Sequence, residues 1–329
     1  MILAGDVGGT KTVLAICGDQ DFAIVREAVY PCADYPSLEA ILDAFLRPGE
    51  RTGLAAACFG VAGPITDNTS KITNLPWTID GHAVSAKLGI PVTLINDLQA
   101  TALGTLILPD TAFAVLQPAA APAPHGSIAV IAPGTGLGTA LLVSDGHQYR
   151  ALPSEGGHAD FAATTDEEIA FLRFMRDRHG GHVSVERVLS GAGIGDLYDF
   201  VRTSATTPEP AALTAQLGHG DRNAAVSRAA LDRSDPSAIR AIELFAELLG
   251  AEAGNLALRG LTTGGVVIGG GIPPKLLPAL QQPRFTDRFN AKGRFSGWTR
   301  GLAVRVALEP RAALFGAAHY AATHKDSRS

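Results

Sequence analysis

The chain has 329 residues, a formal net charge of −5 and 46% hydrophobic residues, which suits a two-domain globular protein with sizeable cores. No basic stripe or block occurs, which argues against nucleic acid or an anionic membrane surface as the main partner. The cysteines Cys17, Cys32 and Cys58 are odd in number and far apart; they read as reduced thiols of a cytoplasmic protein and make no zinc set with the histidines.

Met1 runs directly into a predicted strand, and no charged segment followed by an apolar one precedes it, so no signal peptide is expected. The strand leads into Asp6-Val-Gly8-Gly9-Thr10-Lys11-Thr12 and a second strand to Ile16. The pattern returns at Ser127–Val143, with Pro133-Gly134-Thr135-Gly136-Leu-Gly138-Thr139 as the turn. Glycines there permit positive φ and close backbone approach. Each turn reads either as an ordinary hairpin or as a nest of backbone N–H groups around phosphate, with Asp6 accepting Mg²⁺ through water. Their occurrence twice in matching strand contexts favours phosphate. Neither is a Walker A loop, and the dinucleotide GxGxxG pattern is missing after the first strand.

Between the two turns, strands and helices alternate, which implies an α/β sheet with parallel pairs. Phe22–Tyr30 reads as a strand, and Tyr35–Leu46 as a helix capped by Ser37 with Leu38, Ile41, Leu42 and Phe45 on one face. Gly53–Val61 and Pro91–Ile95 follow as buried strands. Asn96-Asp97 comes next, before a helix from Leu98. Asp97 is either that helix's cap or a carboxylate at the end of a strand, where open α/β sheets bind ligands. There it could take a hydroxyl proton during phosphoryl transfer, with Asn96 bonding a neighbouring hydroxyl. Asn74-Leu75-Pro76-Trp77 is a packing turn or an aromatic wall beside a sugar.

Gln117–His125, with three prolines, is a loop or linker near an expected domain change. Glu155-Gly156-Gly157-His158 is a surface loop, or a donor–acceptor pair for a polyhydroxylated ligand carried on a backbone loosened by glycine. Glu186 taken alone is a solvated helix carboxylate. Ser234-Asp235-Pro236 starts a strong helix bearing Ile239, Ile242, Phe245, Leu248 and Leu249 on one face. Gly265–Ile268 is a buried strand leading into Gly269-Gly270-Gly271-Ile-Pro-Pro274, a plain turn or a bare surface for adenine.

Taken in order, these motifs resemble the bacterial glucokinase family, a hexokinase-like branch of the actin-like ATPase superfamily. They are Gly5-Asp-Val-Gly-Gly-Thr10, Gly60-Val-Ala-Gly-Pro64, Thr73-Asn-Leu-Pro-Trp77, Ile95-Asn-Asp97, Pro133–Gly138, Ser154-Glu-Gly-Gly-His158, Ser184–Gly191, Gly269-Gly-Gly-Ile272 and Leu314-Phe-Gly316. Together they span nearly the whole chain. The resemblance implies a two-domain α/β actin-like (ribonuclease H-like) fold with a cleft between a small domain, 1–107 plus 308–329, and a larger one, 108–307. It implies a cytoplasmic, homodimeric enzyme that uses ATP and Mg²⁺ to convert D-glucose to glucose 6-phosphate, feeding glycolysis. By motif match Asp97 is the catalytic base, and Asn96, Glu155, His158 and Glu186 are the other glucose contacts. Asp6, Gly8, Gly9, Thr10, Lys11, Gly134, Thr135 and Gly136 hold phosphate, and Gly269, Gly270 and Gly271 lie near adenosine.

Lys11 stands where this branch often carries Asn; lysine there is common in the related repressor/sugar-kinase (ROK) group. That group's cysteine-rich zinc motif has no counterpart after His158, and no helix-turn-helix segment precedes Asp6. A kinase for another hexose and a non-catalytic sugar sensor are the alternatives. Asp97 and both phosphate turns favour an enzyme over a sensor.

Overall fold

The computed structural model describes residues 1–72, 75–121, 123–206, 208–210, 213–215 and 222–325. Thr73 and Asn74 of the Thr73–Trp77 motif, and the end of the polar tail, lie outside the described residues. The chain divides into two compact units, one of Met1–Ala112, Tyr149–Pro153 and Glu309–Ser329, the other of Phe113–Gln148 and Ser154–Leu308.

The first unit is built on strands β1 (Ile2–Val7), β2 (Lys11–Cys17), β3 (Ile24–Pro31), β4 (Ala56–Val61) and, after two short hairpin strands and β7 (Thr78–Asp80), β8 (Val92–Asn96). They lie in the order β3-β2-β1-β4-β8. β1 runs antiparallel to β2 and parallel to β4, and β8 runs parallel to β4. β4 is buried throughout, as an inner parallel strand covered on both faces should be. β3 alternates half-buried and exposed residues because it is the edge. It starts at Ile24, later than its sequence predicts. Gly18 N–H closes a turn onto the Ala23 carbonyl, and Phe22 takes a left-handed φ of 55° that no strand accommodates.

Helix Leu38–Phe45 has Ser37 as its cap and buries Leu38, Ile41, Leu42 and Phe45. Trp77 packs in the same core, as does β4's Phe59. Helices Asp97–Thr105 and Ala312–His324 cross with their backbones touching. A Cβ on Gly104 would fall 1.8 Å from the Ala312 carbonyl oxygen, and one on Gly316 would fall 1.8 Å from that of Ala100. The glycine at each crossing point is therefore a steric requirement.

In the second unit, β9 (Phe113–Gln117), β10 (Ile128–Pro133), β11 (Leu137–Ser144), β13 (Gly265–Ile268) and β14 (Val304–Ala307) form a sheet in the order β11-β10-β13-β14-β9. β10 is antiparallel to β11 and parallel to β13, and β13 is parallel to β14. The order and directions of β11-β10-β13-β14 thus repeat those of β2-β1-β4-β8. The repeated glycine turns close the equivalent hairpin in each half.

Helix Pro236–Gly260 begins at the Asp235 cap, whose carboxylate accepts the Ala238 N–H at 3.0 Å. Ile242, Phe245, Leu248 and Leu249 are buried on it, and Ile239 is half-buried. Gly250 and Gly254 admit the helix Pro283–Asn290, since a Cβ on either would come within 2.5 Å of the Phe285 or Phe289 carbonyl oxygen.

Candidate active site

At the carboxyl edge of the first sheet, Val7, Val61 and Asn96 stand in one row on β1, β4 and β8. Asp6 is one residue before this row and Asp97 one after it, on strands separated by two sheet spacings of about 5 Å each. Asp97 does not cap its helix. Asn96 does, accepting from Leu98 N–H at 2.9 Å and Gln99 N–H at 3.4 Å, while Gln99 Oε1 accepts the Asn96 N–H at 3.1 Å. The helix therefore starts at Asp97, whose Oδ1 accepts the Leu98 N–H at 2.8 Å. The cap uses the Asn96 side-chain oxygen, so the group it has for a ligand is its NH₂ donor. Gln99 Nε2 donates to the Ala151 carbonyl at 3.0 Å and fixes the first turn.

The first glycine turn joins β1 to β2, with Gly8 N–H bonded to the Lys11 carbonyl at 3.0 Å. It is backed from within. Cys32 donates its N–H to the Thr10 carbonyl at 2.9 Å, and its buried Sγ lies 3.4 Å from the Gly8 carbonyl. Asp6 is half-buried, and burial raises its carboxyl above the ordinary value while the Lys11 ammonium pulls it back. A desolvated carboxylate opposed by a single lysine is a fit seat for a divalent cation. Mg²⁺ characteristically takes one or two protein carboxylates and completes its shell with water and phosphate oxygens. No group of three or more His, Cys, Asp or Glu residues able to hold a metal occurs among the described residues. Asp6 would supply one such carboxylate.

The second glycine turn is tighter. Pro133 pairs directly with Leu137, and Gly134 N–H bonds the Gly136 carbonyl at 2.8 Å. Gly134 and Thr135 line a cavity of about 790 Å³ in the second unit. The cavity is closed by Ile194, Ile272 and Leu276 and bears Asn223, Arg228 and Lys275. Gly191, at the start of helix Gly191–Thr203, bonds the Gly134 carbonyl through its N–H at 2.9 Å and lines the same space. Apolar walls suit a flat base, and two cations with a helix N-terminus suit phosphate.

Gly269–Gly271 divides its work residue by residue. Gly269 N–H extends strand pairing to the Ile131 carbonyl at 2.8 Å. Gly270 turns at φ 84°, with a Cβ position only 2.4 Å from the Pro133 carbonyl oxygen. Gly271 faces open space in the cavity. Among the described site glycines of both turns and this run, Gly270 alone takes positive φ. Asn223, Arg228 and Lys275 carry no motif, and only the fold gathers them here.

Glu155, His158 and Glu186 come together in the second unit. His158 Nε2 lies 3.8 Å from Glu155 and its Nδ1 3.9 Å from Glu186 Oε1. His158 and Glu155 are exposed, and Glu186 is half-buried. Glu186 is held in place, since its Oε2 accepts the Leu137 N–H at 3.0 Å. The paired glycines do not loosen this loop; they let it lie on β11. A Cβ on Gly157 would fall 2.2 Å from the Leu137 carbonyl oxygen, and one on Gly156 would fall 2.7 Å from Thr139 Oγ1. Ser154 Oγ accepts the Gly156 N–H at 2.9 Å. The result is two carboxylates and an imidazole on one small surface, able to accept and donate to several vicinal hydroxyls.

A family model described as Glucokinase matches residues 3–324. A curated relative named Glucokinase from Nostoc punctiforme is 39% identical over 338 residues, covering 98% of this chain and 99% of its own. The crystal structure of a glucokinase from an Antarctic psychrotroph superposes with a TM-score of 0.84 at 31% identity, covering 98% of both chains. That of a ROK family glucokinase from Streptomyces griseus, in complex with glucose and AMPPNP, superposes with a TM-score of 0.63 at 23% identity, covering 98% of this chain and 99% of its own. The fold is that of the actin-like ATPases.

Proposed function

The chain belongs to the glucokinase family and phosphorylates glucose with ATP, and on that premise we propose that Asp97 is the base that takes the 6-hydroxyl proton. The observation that supports this role is its position at the carboxyl end of β8, on the first residue of a helix whose N-terminus is already capped by Asn96. Its Oδ1 accepts the Leu98 N–H at 2.8 Å, which fixes the carboxylate at the edge of the sheet, where the positive end of the helix favours negative charge. Glucose O6 forms a bond to the γ-phosphorus as the bond to the β,γ-bridging oxygen breaks; ADP departs with that electron pair, and Asp97 receives the proton.

Asn96, through its NH₂ donor, and Glu155, His158 and Glu186 hold the other hydroxyls. Gly8, Gly9, Thr10 and Lys11, with Gly134, Thr135 and Gly136, cradle the phosphates, and Gly269–Gly271 flank the adenosine. Asp6 would hold Mg²⁺ through water, and the cation would supply neutralisation of the phosphate charge. On this reading the small domain is 1–107 plus 308–329 and the large one 108–307, bounds that differ from the compact units at residues 108–112, 149–153 and 308. The enzyme acts as a cytoplasmic homodimer and feeds glycolysis. No helix among the described residues is long and apolar enough to cross a membrane.

Asp97→Asn tests the assignment. It keeps the side chain's size and Oδ1 acceptor but removes the basic oxygen, so kcat is expected to fall by about 10²–10⁴ with glucose binding retained. Near-normal turnover would refute it. A hexose competition panel decides between glucose and its epimers, and glucose-dependent ADP release decides between an enzyme and a sensor.

A further inference from the structure

The second glycine turn does more than face phosphate. Three observations converge on Gly136. Leu137 N–H, immediately after Gly136, is bonded to Glu186 Oε2 at 3.0 Å and is thereby withdrawn from any phosphate. A Cβ on Gly136 would fall 2.5 Å from that same oxygen, closer than any side chain could be accepted without displacement. Gly136 has no positive φ, so the backbone itself would tolerate alanine; what must give way is the Glu186 carboxylate, the end of a flexible side chain. On the other flank, the Gly134 carbonyl takes the Gly191 N–H at 2.9 Å, and Gly134 and Thr135 line the large cavity.

We propose that Gly136 is a positioning residue for glucose: its missing side chain is the seat of the Glu186 carboxylate, and the Pro133–Leu137 turn thereby holds the sugar-reading acid and the nucleotide at once. The inference rests on the reading of Glu186 as a glucose contact. Docked on Leu137 N–H, Glu186 presents Oε1 toward His158 and the sugar. Unseated, it loses the hydrogen bond that selects this orientation. A charged hydrogen bond misplaced at a ligand costs about 10- to 100-fold in affinity.

The test is a set of single and double variants, with glucose and ATP constants measured separately. Gly136→Ala is expected to raise the glucose KM about 10- to 100-fold while the ATP KM moves far less. Glu186→Asp draws the carboxylate back by one carbon–carbon bond, about 1.5 Å. Alone it should weaken glucose binding, yet in the Gly136→Ala background it should restore part of the loss. That reversal of sign distinguishes a seat from a merely damaged turn.

A Gly136→Ala enzyme with unchanged glucose KM, or one whose defect Glu186→Asp deepens, overturns the proposal. Glu186→Gln tests the underlying reading on its own: if glucose binding is unaffected there, the sugar assignment has failed, and this inference fails with it. A third measurement does not depend on the glycine variant folding. Hydrogen exchange of the 134–139 segment is expected to accelerate in Glu186→Ala as the Leu137 amide loses its acceptor; unchanged exchange overturns the proposal.

Discussion

The contrast between Gly270 and Gly271 makes the sharpest quantitative test of how the glycine run works. At Gly270 the backbone is left-handed, φ 84°, and an added methyl would meet the Pro133 carbonyl oxygen at 2.4 Å. Alanine there costs about 1–2 kcal/mol for the conformation and a further 1–3 for forcing the two backbones apart, roughly 2–5 kcal/mol in all. For a unit of this size that lowers Tm by roughly 5–15 °C. Next door, the Gly271 methyl meets open space and the conformation is ordinary. Gly271→Ala therefore leaves Tm unchanged or up to about 1 kcal/mol more stable, because the unfolded chain loses freedom. Its methyl projects into the 790 Å³ cavity, where a misplaced methylene-sized group is worth about 1–3 kcal/mol, so the ATP KM should rise about tenfold or more. Thermal melting and steady-state kinetics at saturating glucose read the two effects. A Gly271→Ala enzyme of normal ATP KM, or a Gly270→Ala protein of normal Tm, would refute the division of labour.

Three further outcomes are expected. Asn96→Ser keeps a capping oxygen but lacks the NH₂ donor, so Tm should hold within about 0.5 kcal/mol while the glucose KM rises; Asn96→Ala should lose about 1 kcal/mol of stability as well. Asp6→Asn should stabilise the metal-free, nucleotide-free protein at neutral pH while impairing MgATP turnover. The sign follows from the raised native pKa: as pH climbs past 3.8 the unfolded carboxyl ionises first, and the native state loses stability until its own pKa is passed. The gain from Asp6→Asn should thus vanish in melts below that pH; a gain undiminished in acid would refute it. Gly104→Ala or Gly316→Ala should each destabilise the first unit by about 3 kcal/mol or more in urea unfolding, since each methyl is driven into a carbonyl 1.8 Å away.

Much of this was legible in the chain before folding. Apolar strands, the Ser37 cap, the helix start at Ser234–Pro236 and the buried stripes after them are local, because 3.6- and 2-residue periodicities reflect burial directly. Motif order proposed the site residues as a set. Asp97 is the instructive departure: sequence offered it as a cap or a ligand group, and the structure gave the cap to Asn96, because the strand continues one residue further and the Asn96 side chain reaches both Leu98 and Gln99 N–H. Glu186 stands 49 residues from Leu137, and no period or propensity links them.

The sequence by itself determined the secondary structure, the duplicated hairpins and the ordered set of polar residues, since each depends on neighbours a few positions away. The tertiary structure alone decided why the glycines are there. Gly104, Gly136, Gly157 and Gly316 are required by what another segment brings against them, not by their own dihedral angles. It also decided which residues wall the cavity, because Asn223 and Arg228 of helix Arg222–Leu231 meet the distant Lys275 only when the second unit packs.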